Sequence, residues 1–160
     1  MSKFSHINAD GLAAMVGVQH KQASLRTATA RSVVEFPPDV ISELYEMGDL
    51  RSPKGSVFQT AILAGIMASK KTGDLIPLCH PITLDHCQVE IHLDELQRVI
   101  IDCTATVVAK TGVEMEAMIG ASIAALTVYD MCKALSHDIV VRETKLMSKT
   151  GGKRDFKRPS

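Results

Sequence analysis

The chain has 160 residues, of which 46% are hydrophobic and 22% are charged, and these proportions predict one globular domain spanning residues 1–160. The 18 Lys and Arg residues balance the 18 Asp and Glu residues, so no net positive charge attracts nucleic acid or an anionic membrane. The longest uncharged stretches, Gly55–Ser69 and Ala117–Tyr129, are shorter than the ~18 apolar residues of a membrane span. The N-terminus carries no apolar run typical of a secretory signal, and the four cysteines show no C-x-x-C spacing. Both features predict reduced thiols in a cytoplasmic protein.

The first half of the chain is predicted to contain one strand and two helices. Arg26–Phe36 alternate and are rich in Thr and Val, which predicts a strand that ends at a pair of prolines. Apolar residues at helical spacing predict a short helix over Pro38–Met47. Residues 49–55 are predicted to form a loop, and Ser56–Lys71 a longer helix with its first residue as the N-cap.

The second half is predicted to contain a hairpin, a long helix and a last strand. Two prolines bar a regular helix from residues 75–81. Period-two patterning over Leu84–Leu93 and Val99–Val107 predicts a β-hairpin. The longest helix is predicted over Gly112–Leu135 and the final strand over Asp138–Met147. The polar ends, residues 1–12 and 149–160, are predicted to be flexible.

This order of elements predicts an α+β fold, a ferredoxin-like βαββαβ sandwich with an extra N-terminal arm and a short helix. Such a sheet carries helices on one face, so its other face is expected to need a cover, for which a partner subunit is one source. Ala117–Tyr129 is apolar or small on every side, which indicates burial on every side. In a fold with only two long helices, that pattern predicts a subunit interface.

Asp130 and Lys133 follow this apolar stretch and share one helical face. One interpretation is a surface ion pair at the end of a helix. The other is a partly desolvated carboxylate whose lysine neighbour tunes it for proton transfer. Lys54, just ahead of a helix N-terminus, is a candidate contact for an anion.

The Cys79-His80-Pro81 sequence lies on the irregular segment between the two prolines. His80 is interpreted either as a packing histidine or as a side chain that meets a ligand. A metal site would have to combine it with Cys79, His86 and Cys87, but the spacing matches no zinc pattern, so no metal is predicted.

Residues 110–116 (KTGVEME) surround the N-terminus of the long helix, where free backbone N–H groups favour an anion. Thr111 and Glu114 have the spacing of a capping box. Glu116 lies outside that pattern, and its carboxylate suits the N–H donors of a guanine-like or pterin-like ring. Residues 149–153 (KTGGK) are either a solvated basic tail or a phosphate contact. Separate lysine clusters in a neutral chain favour a small polyanionic ligand.

Four strings resemble the MoaC family, the cyclic pyranopterin monophosphate synthases of molybdenum cofactor biosynthesis: KTGDLIPLCHP (71–81), KTGVEMEA (110–117), ALTVYDMCKA (125–134) and KTGGKRDF (149–156). SHINADGLAAMV (5–16) and KGSVFQTAILAGIMASKKT (54–72) are similar as well, so the resemblance covers nearly the whole chain. It implies a ferredoxin-like subunit in a hexamer of three dimers, with active sites at the dimer interfaces.

The resemblance also implies the reaction. The substrate is 3′,8-cyclo-7,8-dihydroguanosine 5′-triphosphate, and a lyase converts it to cyclic pyranopterin monophosphate with release of diphosphate. The five-membered ring of the purine opens, a pyrazine ring closes, and a sugar hydroxyl attacks the α-phosphate. No cofactor is expected, and the predicted partners are the nucleotide-derived substrate and further copies of the chain.

By position in the family motifs, Asp130, Lys133 and Lys54 are expected to be catalytic. Lys21 and Arg26 resemble basic residues that reach the site from the neighbouring subunit. The residues that match the substrate-binding positions of the family are Leu78, Cys79, His80, Glu114, Met115, Glu116, Lys149 and Lys153.

Two residues depart from the family pattern, because Gly17 and Ser56 stand where it has aspartate. Serine caps a helix about as well as aspartate, so the fold is expected to be unaffected and only full activity is in question.

Three other functions compete with the synthase. The same fold builds RNA-binding modules, but the strands of the predicted hairpin contain no aromatic residue on which bases would stack. A nucleotide sensor would keep the lysines and glycines but has no use for Asp130 beside Lys133. A purely structural oligomer would leave the residues 75–81 and 149–153 without a purpose.

Overall fold

The computed structural model describes residues 6–8, 10–46 and 48–159. The predicted end of the short helix at Met47 lies outside these residues. So do the parts of the two predicted flexible ends that fall on residues 1–5, 9 and 160. The flexibility of the ends stays a prediction.

The described residues form eight strands and four helices. They are β1 (Ser24–Glu35), α1 (Pro38–Leu44), β2 (Tyr45–Glu46), β3 (Asp49–Ser52), β4 (Gly55–Ser56), α2 (Val57–Ser69), α3 (Thr72–Leu75), β5 (His86–Leu93), β6 (Val99–Ala109), α4 (Glu114–Cys132), β7 (Val140–Thr150) and β8 (Phe156–Lys157). The long elements β1, α2, β5, β6, α4 and β7 have the predicted order, so the α+β, ferredoxin-like class is confirmed.

The main sheet is antiparallel, with the strand order β5-β6-β1-β7-β8. Strand β1 lies at its centre, paired with β6 on one side and with β7 on the other. Helix α2 packs against β5, and helix α4 packs against β1, β6 and β7. Every second residue of β1 and β6 is therefore buried beneath the helices, as a period-two pattern requires.

Two glycines allow α2 and α4 to approach closely. A Cβ atom on Gly120 would collide with Ser69 Oγ and Cys103 Sγ, and one on Gly65 would lie 2.8 Å from the carbonyl oxygen of Gly120. The Ser69 hydroxyl donates a hydrogen bond of 2.9 Å to the carbonyl oxygen of Glu116. The first turn of α4 is thus fixed between the end of α2 and the sheet, which matters for the site below.

The sheet face opposite the helices carries polar pairs. Thr29 and Thr104 hydroxyls lie 2.8 Å apart, and Arg31 forms a bidentate ion pair with Asp102. The same face also carries apolar pairs, Val33 with Ile100 and the exposed Leu25 with Val108, so the expected cover by a partner subunit stays a prediction.

Three local predictions are corrected. The predicted loop 49–55 contains strand β3 and the start of β4, which form a small sheet with β2. The Thr111 capping box is wrong: the N-cap of α4 is Val113, whose side chain has no acceptor, and Glu114 pairs with Lys149. The last strand runs on to Thr150, and the chain then turns back as β8 beside it.

Helix α4 is only partly covered within one chain. By length and composition it could cross a membrane, but half of its most apolar stretch is buried inside the fold, as in a core helix. Within the single chain α2 and the sheet cover one side of α4, so its burial on every side, completed by a subunit interface, stays a prediction. Its outer side exposes Leu126, and α2 exposes Leu63 and Met67.

Candidate active site

The candidate groups divide between the two ends of α4. Glu114 and Glu116 lie in its first turn, and Asp130 lies in its last. A helix rises 1.5 Å per residue, so the residues at the two ends are about 24 Å apart along the axis. The groups predicted to act on one substrate therefore form two separate clusters within one chain.

The cluster at the C-terminal end of α4 joins the three predicted catalytic residues. Lys133 Nζ donates to Asp130 Oδ1 at 2.6 Å, and Lys54 Nζ lies 3.6 Å from Asp130 Oδ2. Lys54 Nζ also lies 3.4 Å from the backbone oxygen of Asp130. The prediction that Asp130 and Lys133 share one helical face is confirmed.

The charges of this cluster stabilise one another. The hydrogen bond and charge of Lys133 hold the pKa of Asp130 below its usual value, and Asp130 in turn raises the pKa of Lys133. The side chain of Asp130 is 57% exposed. The expected desolvation of this carboxylate is therefore not found in the single chain, since no described element covers it.

Lys54 reaches the cluster from the tip of the β3–β4 hairpin. The Ser52 hydroxyl accepts a hydrogen bond of 3.1 Å from the backbone N–H of Lys54. Gly55 follows with φ +107°, a conformation that favours glycine. Ser56 then caps α2 by accepting from the N–H of Gln59 at 3.2 Å, as predicted.

A cavity of about 470 Å³ lies at the N-terminal end of α4. Lys149 Nζ donates to Glu114 Oε1 at 2.8 Å within it. Burial by itself raises the pKa of Glu114, but the hydrogen bond and charge of Lys149 outweigh it and bring the pKa below its usual value. The cavity is lined by six cationic side chains: Lys21, Arg26, Lys110, Lys149, Lys153 and Arg154.

The glycines of residues 149–153 bring these cations together. Gly151 has φ +82°, and a Cβ atom there would collide with the carbonyl oxygen of Leu25 on β1. The hydroxyl of Ser24 donates to the carbonyl oxygen of Gly151 at 2.9 Å. The turn after β7 therefore lies directly against β1. Lys149, Lys153 and Arg26 therefore line one cavity within the chain, and whether Arg26 reaches the catalytic residues of a neighbouring subunit stays a prediction.

Lys21 also lines this cavity of the same chain. Arg154 was not among the predicted site residues, although the string 149–156 that contains it was singled out. Its position beyond a glycine turn carries no periodic signal, so only the folded turn reveals its place in the cavity.

A second cavity of about 250 Å³ adjoins the first, and Thr111, Gly112 and Glu114 line both. Its wall includes the predicted residues Leu78, Cys79, His80, Met115 and Glu116. His6 lines it as well and was not predicted, because a lone histidine in a polar arm has no distinguishing pattern.

Glu116 is the buried carboxylate of this second cavity, with 3% of its surface exposed. Burial raises its pKa above the usual value. Burial and the nearby Glu116 charge also raise the pKa of the Cys79 thiol. A buried carboxylate of this kind is suited to accept hydrogen bonds from the N–H groups of a bound ring.

Across residues 6–8, 10–46 and 48–159, no three His, Cys, Asp or Glu side chains gather in a geometry that would hold a metal ion. His80 and Cys79 instead line the second cavity. All four cysteines of the chain are free thiols.

The fold and the two cavities define a class of protein, a ferredoxin-like α+β domain whose larger cavity has a cationic lining suited to an anionic small molecule. The chain belongs to the MoaC family, whose sequence model matches residues 15–152. This confirms the resemblance on which the sequence predictions relied.

Individual relatives agree with the family. A protein of Xanthomonas campestris pv. campestris (strain 8004), named cyclic pyranopterin monophosphate synthase, is 53% identical over 155 residues, which cover 97% of this chain and 93% of that protein. One of Xanthomonas oryzae pv. oryzae (strain MAFF 311018) with the same name is 51% identical over 155 residues, with the same coverage. Molybdenum cofactor biosynthesis protein 1 of Dictyostelium discoideum is 48% identical over 168 residues, covering 95% of this chain and 27% of that protein. The predictions of an enzyme and of a role in molybdenum cofactor biosynthesis are confirmed.

Proposed function

We propose that the chain converts 3′,8-cyclo-7,8-dihydroguanosine 5′-triphosphate to cyclic pyranopterin monophosphate and diphosphate, with each active site built from two chains. The observation that carries the proposal is the pair of adjoining cavities, one cationic and one with a buried carboxylate. A triphosphate attached to a ring with N–H donors has the chemistry that fits both.

The cationic cavity is proposed to hold the triphosphate. Six Lys and Arg side chains face one carboxylate there, and that carboxylate, Glu114, already engages Lys149 at 2.8 Å. A phosphate oxygen that replaces Glu114 as the partner of Lys149 gains a charge-assisted hydrogen bond. Cations around the β- and γ-phosphates also stabilise the charge that develops on the departing diphosphate.

The second cavity is proposed to hold the ring system. Glu116 would accept N–H donors of the ring, while Leu78 and Met115 would contact its apolar faces. Cys79 and His80 line the same cavity and would complete the wall. Because both cavities share Thr111 and Gly112, a substrate can extend from one into the other.

The Asp130 cluster is proposed to transfer protons. The mutual pKa shifts keep Asp130 deprotonated and Lys133 protonated, so the carboxylate can accept a proton and either lysine can donate one. In the last step a sugar oxygen forms a bond to the α-phosphorus and the bond from that phosphorus to the β-phosphate oxygen breaks. The hydroxyl proton passes to the cluster and the bonding electrons leave with diphosphate.

The separation of about 24 Å between the ends of α4 supports a site shared by two chains. If Asp130 of one chain meets the cavities of another, the contact also desolvates this exposed cluster. The exposed Leu63, Met67 and Leu126 supply apolar surface for such an interface. We propose dimers of this kind, assembled as a hexamer of three dimers, in the cytoplasm, where the four free thiols stay reduced.

The first test incubates the purified chain with the cyclic dihydro-GTP substrate and measures diphosphate and a pterin product together. Both are expected in equal amounts. A folded oligomer that binds the nucleotide and releases neither would contradict the synthase and favour a nucleotide sensor. The mass in solution, measured by light scattering, tests the assembly, and a monomer under turnover conditions would contradict the shared site.

A further inference from the structure

We propose that Asp49 is a positioning residue for Lys54. Its carboxylate ties the base of the β3–β4 hairpin to the first turn of α2 and so fixes the backbone that presents the lysine to Asp130. The inference rests on the catalytic role proposed for Lys54.

The carboxylate of Asp49 links three parts of the chain. Oδ1 accepts a hydrogen bond of 2.9 Å from the backbone N–H of Phe58, and Oδ2 accepts one from the Ser56 hydroxyl. Ser56 Oγ in turn accepts from the N–H of Gln59 at 3.2 Å. One carboxylate and one hydroxyl therefore satisfy two of the free N–H groups at the start of α2.

This link connects the hairpin to the core. Val57 and Phe58, with at most 3% of their surface exposed, anchor the first turn of α2. The hairpin itself is held by only two residue pairs, Arg51 with Ser56 and Ser52 with Gly55. Asp49 is the first residue of β3, and its partners Ser56 and Phe58 lie at the end of β4 and just after it. The carboxylate therefore closes the hairpin at its base.

Lys54 depends on this backbone for its position. Its side chain is 57% exposed and meets Asp130 only at 3.4 and 3.6 Å, so its own contacts do not fix it firmly. Asp49 bonds to Ser56 and Phe58 and acts on the cluster through Lys54. A misplacement of about 1 Å in a catalytic group can cost up to about a hundredfold in rate.

The test compares Asp49→Ala with the unchanged chain, in steady-state assays of diphosphate release. We expect kcat to fall about tenfold and KM to change less than about twofold, since neither Asp49 nor Lys54 lines the cavities proposed to bind substrate. In a Lys54→Met background, Asp49→Ala is expected to cause no further loss, because the side chain that it positions is absent. Equal losses in both backgrounds, or no loss in either, would overturn the proposal.

A spectroscopic measurement gives an answer that does not depend on turnover. In the chain with ¹³C-methylated lysines, Asp130→Asn should shift the Lys54 signal, because the two side chains are in contact. The same substitution should shift it much less when Asp49→Ala is also present. An undiminished shift would show that Lys54 keeps its place without Asp49 and would overturn the proposal.

The Ser56 variants and a control complete the design. Ser56→Ala should reproduce part of the kcat loss, and Ser56→Thr, which keeps the hydroxyl, should have the kcat of the unchanged chain.

Asp94 provides the control, because it also anchors a hairpin turn, accepting from the N–H groups of Leu96 at 3.0 Å and Arg98 at 2.8 Å. Asp94→Ala should therefore keep the kcat of the unchanged chain. If Asp49→Ala fails to fold, Asp49→Asn, which can still accept from Phe58, replaces it. Failure of the proposed function appears differently, as no diphosphate release by the unchanged chain, and failure of the role of Lys54 as an unchanged kcat in Lys54→Met.

Discussion

The two ends of helix α4 present opposite environments for charged groups. At the N-terminal end Glu116 is buried and its pKa is raised, beside cavities of about 470 and 250 Å³. At the C-terminal end Asp130 is more than half exposed and its pKa is lowered by Lys133. One chain thus preforms the surfaces proposed to bind substrate, while the groups proposed to move protons stand open to solvent.

The difference follows from where α4 packs. Its first turn meets the end of α2, and the turn after β7 lies beside β1, so several elements enclose this end. The inner side of its last turn is buried in the core through Met131 and Cys132, but its outer side, which carries Asp130, meets Lys54 from the tip of the β3–β4 hairpin. The fold therefore encloses the end that is proposed to bind substrate. It leaves the end that is proposed to transfer protons open to solvent, with Lys133 and Lys54 as the neighbours of Asp130.

Asp130→Asn should have the largest effect, because it removes the carboxylate of the exposed end and keeps its shape. Turnover is expected to fall by about 10²–10⁴-fold, while substrate affinity by calorimetry stays within about twofold. Asp138→Asn, at another exposed aspartate after α4, is the matched control and should turn over normally. A parallel loss of affinity would show that the two ends are not functionally separate.

Mixing two inactive variants tests whether the ends of different chains cooperate. Asp130→Asn and Glu116→Gln, unfolded and refolded together in equal amounts, should regain about a quarter of the activity of the unchanged chain. Half of the randomly formed dimers contain one chain of each variant, and one of the two sites in such a dimer combines an intact Asp130 with an intact Glu116. Each variant refolded alone is the control. Recovery at the level of the controls would mean that both ends act within the same chain.

Lys149→Met should weaken binding with little change in kcat, since Lys149 lines the cationic cavity rather than the exposed cluster. We expect KM to rise about tenfold, the value of one charge-assisted hydrogen bond, and to depend less on salt than in the unchanged chain. Lys157→Met removes an exposed lysine of β8 outside that cavity and should leave KM unaltered. A fall in kcat alone would place Lys149 with the chemistry instead.

The smallest expected effects are on stability, and they have opposite signs at neighbouring carboxylates. At neutral pH Glu116→Gln should raise Tm and Glu114→Gln should lower it, each by about 2–4 °C, as about 1 kcal/mol does in a chain of this size. Burial raises the pKa of Glu116, whereas burial of Glu114 is outweighed by the Lys149 hydrogen bond, a backbone N–H and the charges of Lys149 and Arg26 together, which lower its pKa.

The pH dependence of these Tm differences follows from linkage. The benefit of Glu114 is present above the ordinary carboxyl pKa and is lost as the pH falls through its lowered folded pKa. The cost of Glu116 grows as the pH rises through its raised folded pKa. Both differences should vanish in acid, and calorimetric scans across pH that showed a constant difference would contradict the assignment.

The sequence predicted the long elements well because their signals are local. Period-two patterning identified the β5–β6 hairpin, and the N-cap at Ser56 placed the start of α2. The sequence did not predict the features that depend on contacts between residues far apart in the chain. Lys149 takes Glu114 away from the predicted capping box, and Asp49 bonds with Ser56 in what was predicted to be a loop.

For the site, the sequence supplied residue types and motifs but not their grouping. Asp130 and Lys133 are three residues apart on a helix, so their contact could be predicted. The cavity cations could not be grouped in this way, because Arg26 meets Lys149 only through the pairing of β1 with β7 and the turn at Gly151.

The amino-acid sequence by itself determined the element types, the α+β order and the family, since periodicity, caps and motifs are properties of neighbouring residues. Only the tertiary structure decided that the candidate residues divide into two clusters about 24 Å apart. The reason is geometric, because the length of a helix fixes the distance between its ends. Which distant strand, turn or hairpin meets each end depends on packing across the whole chain.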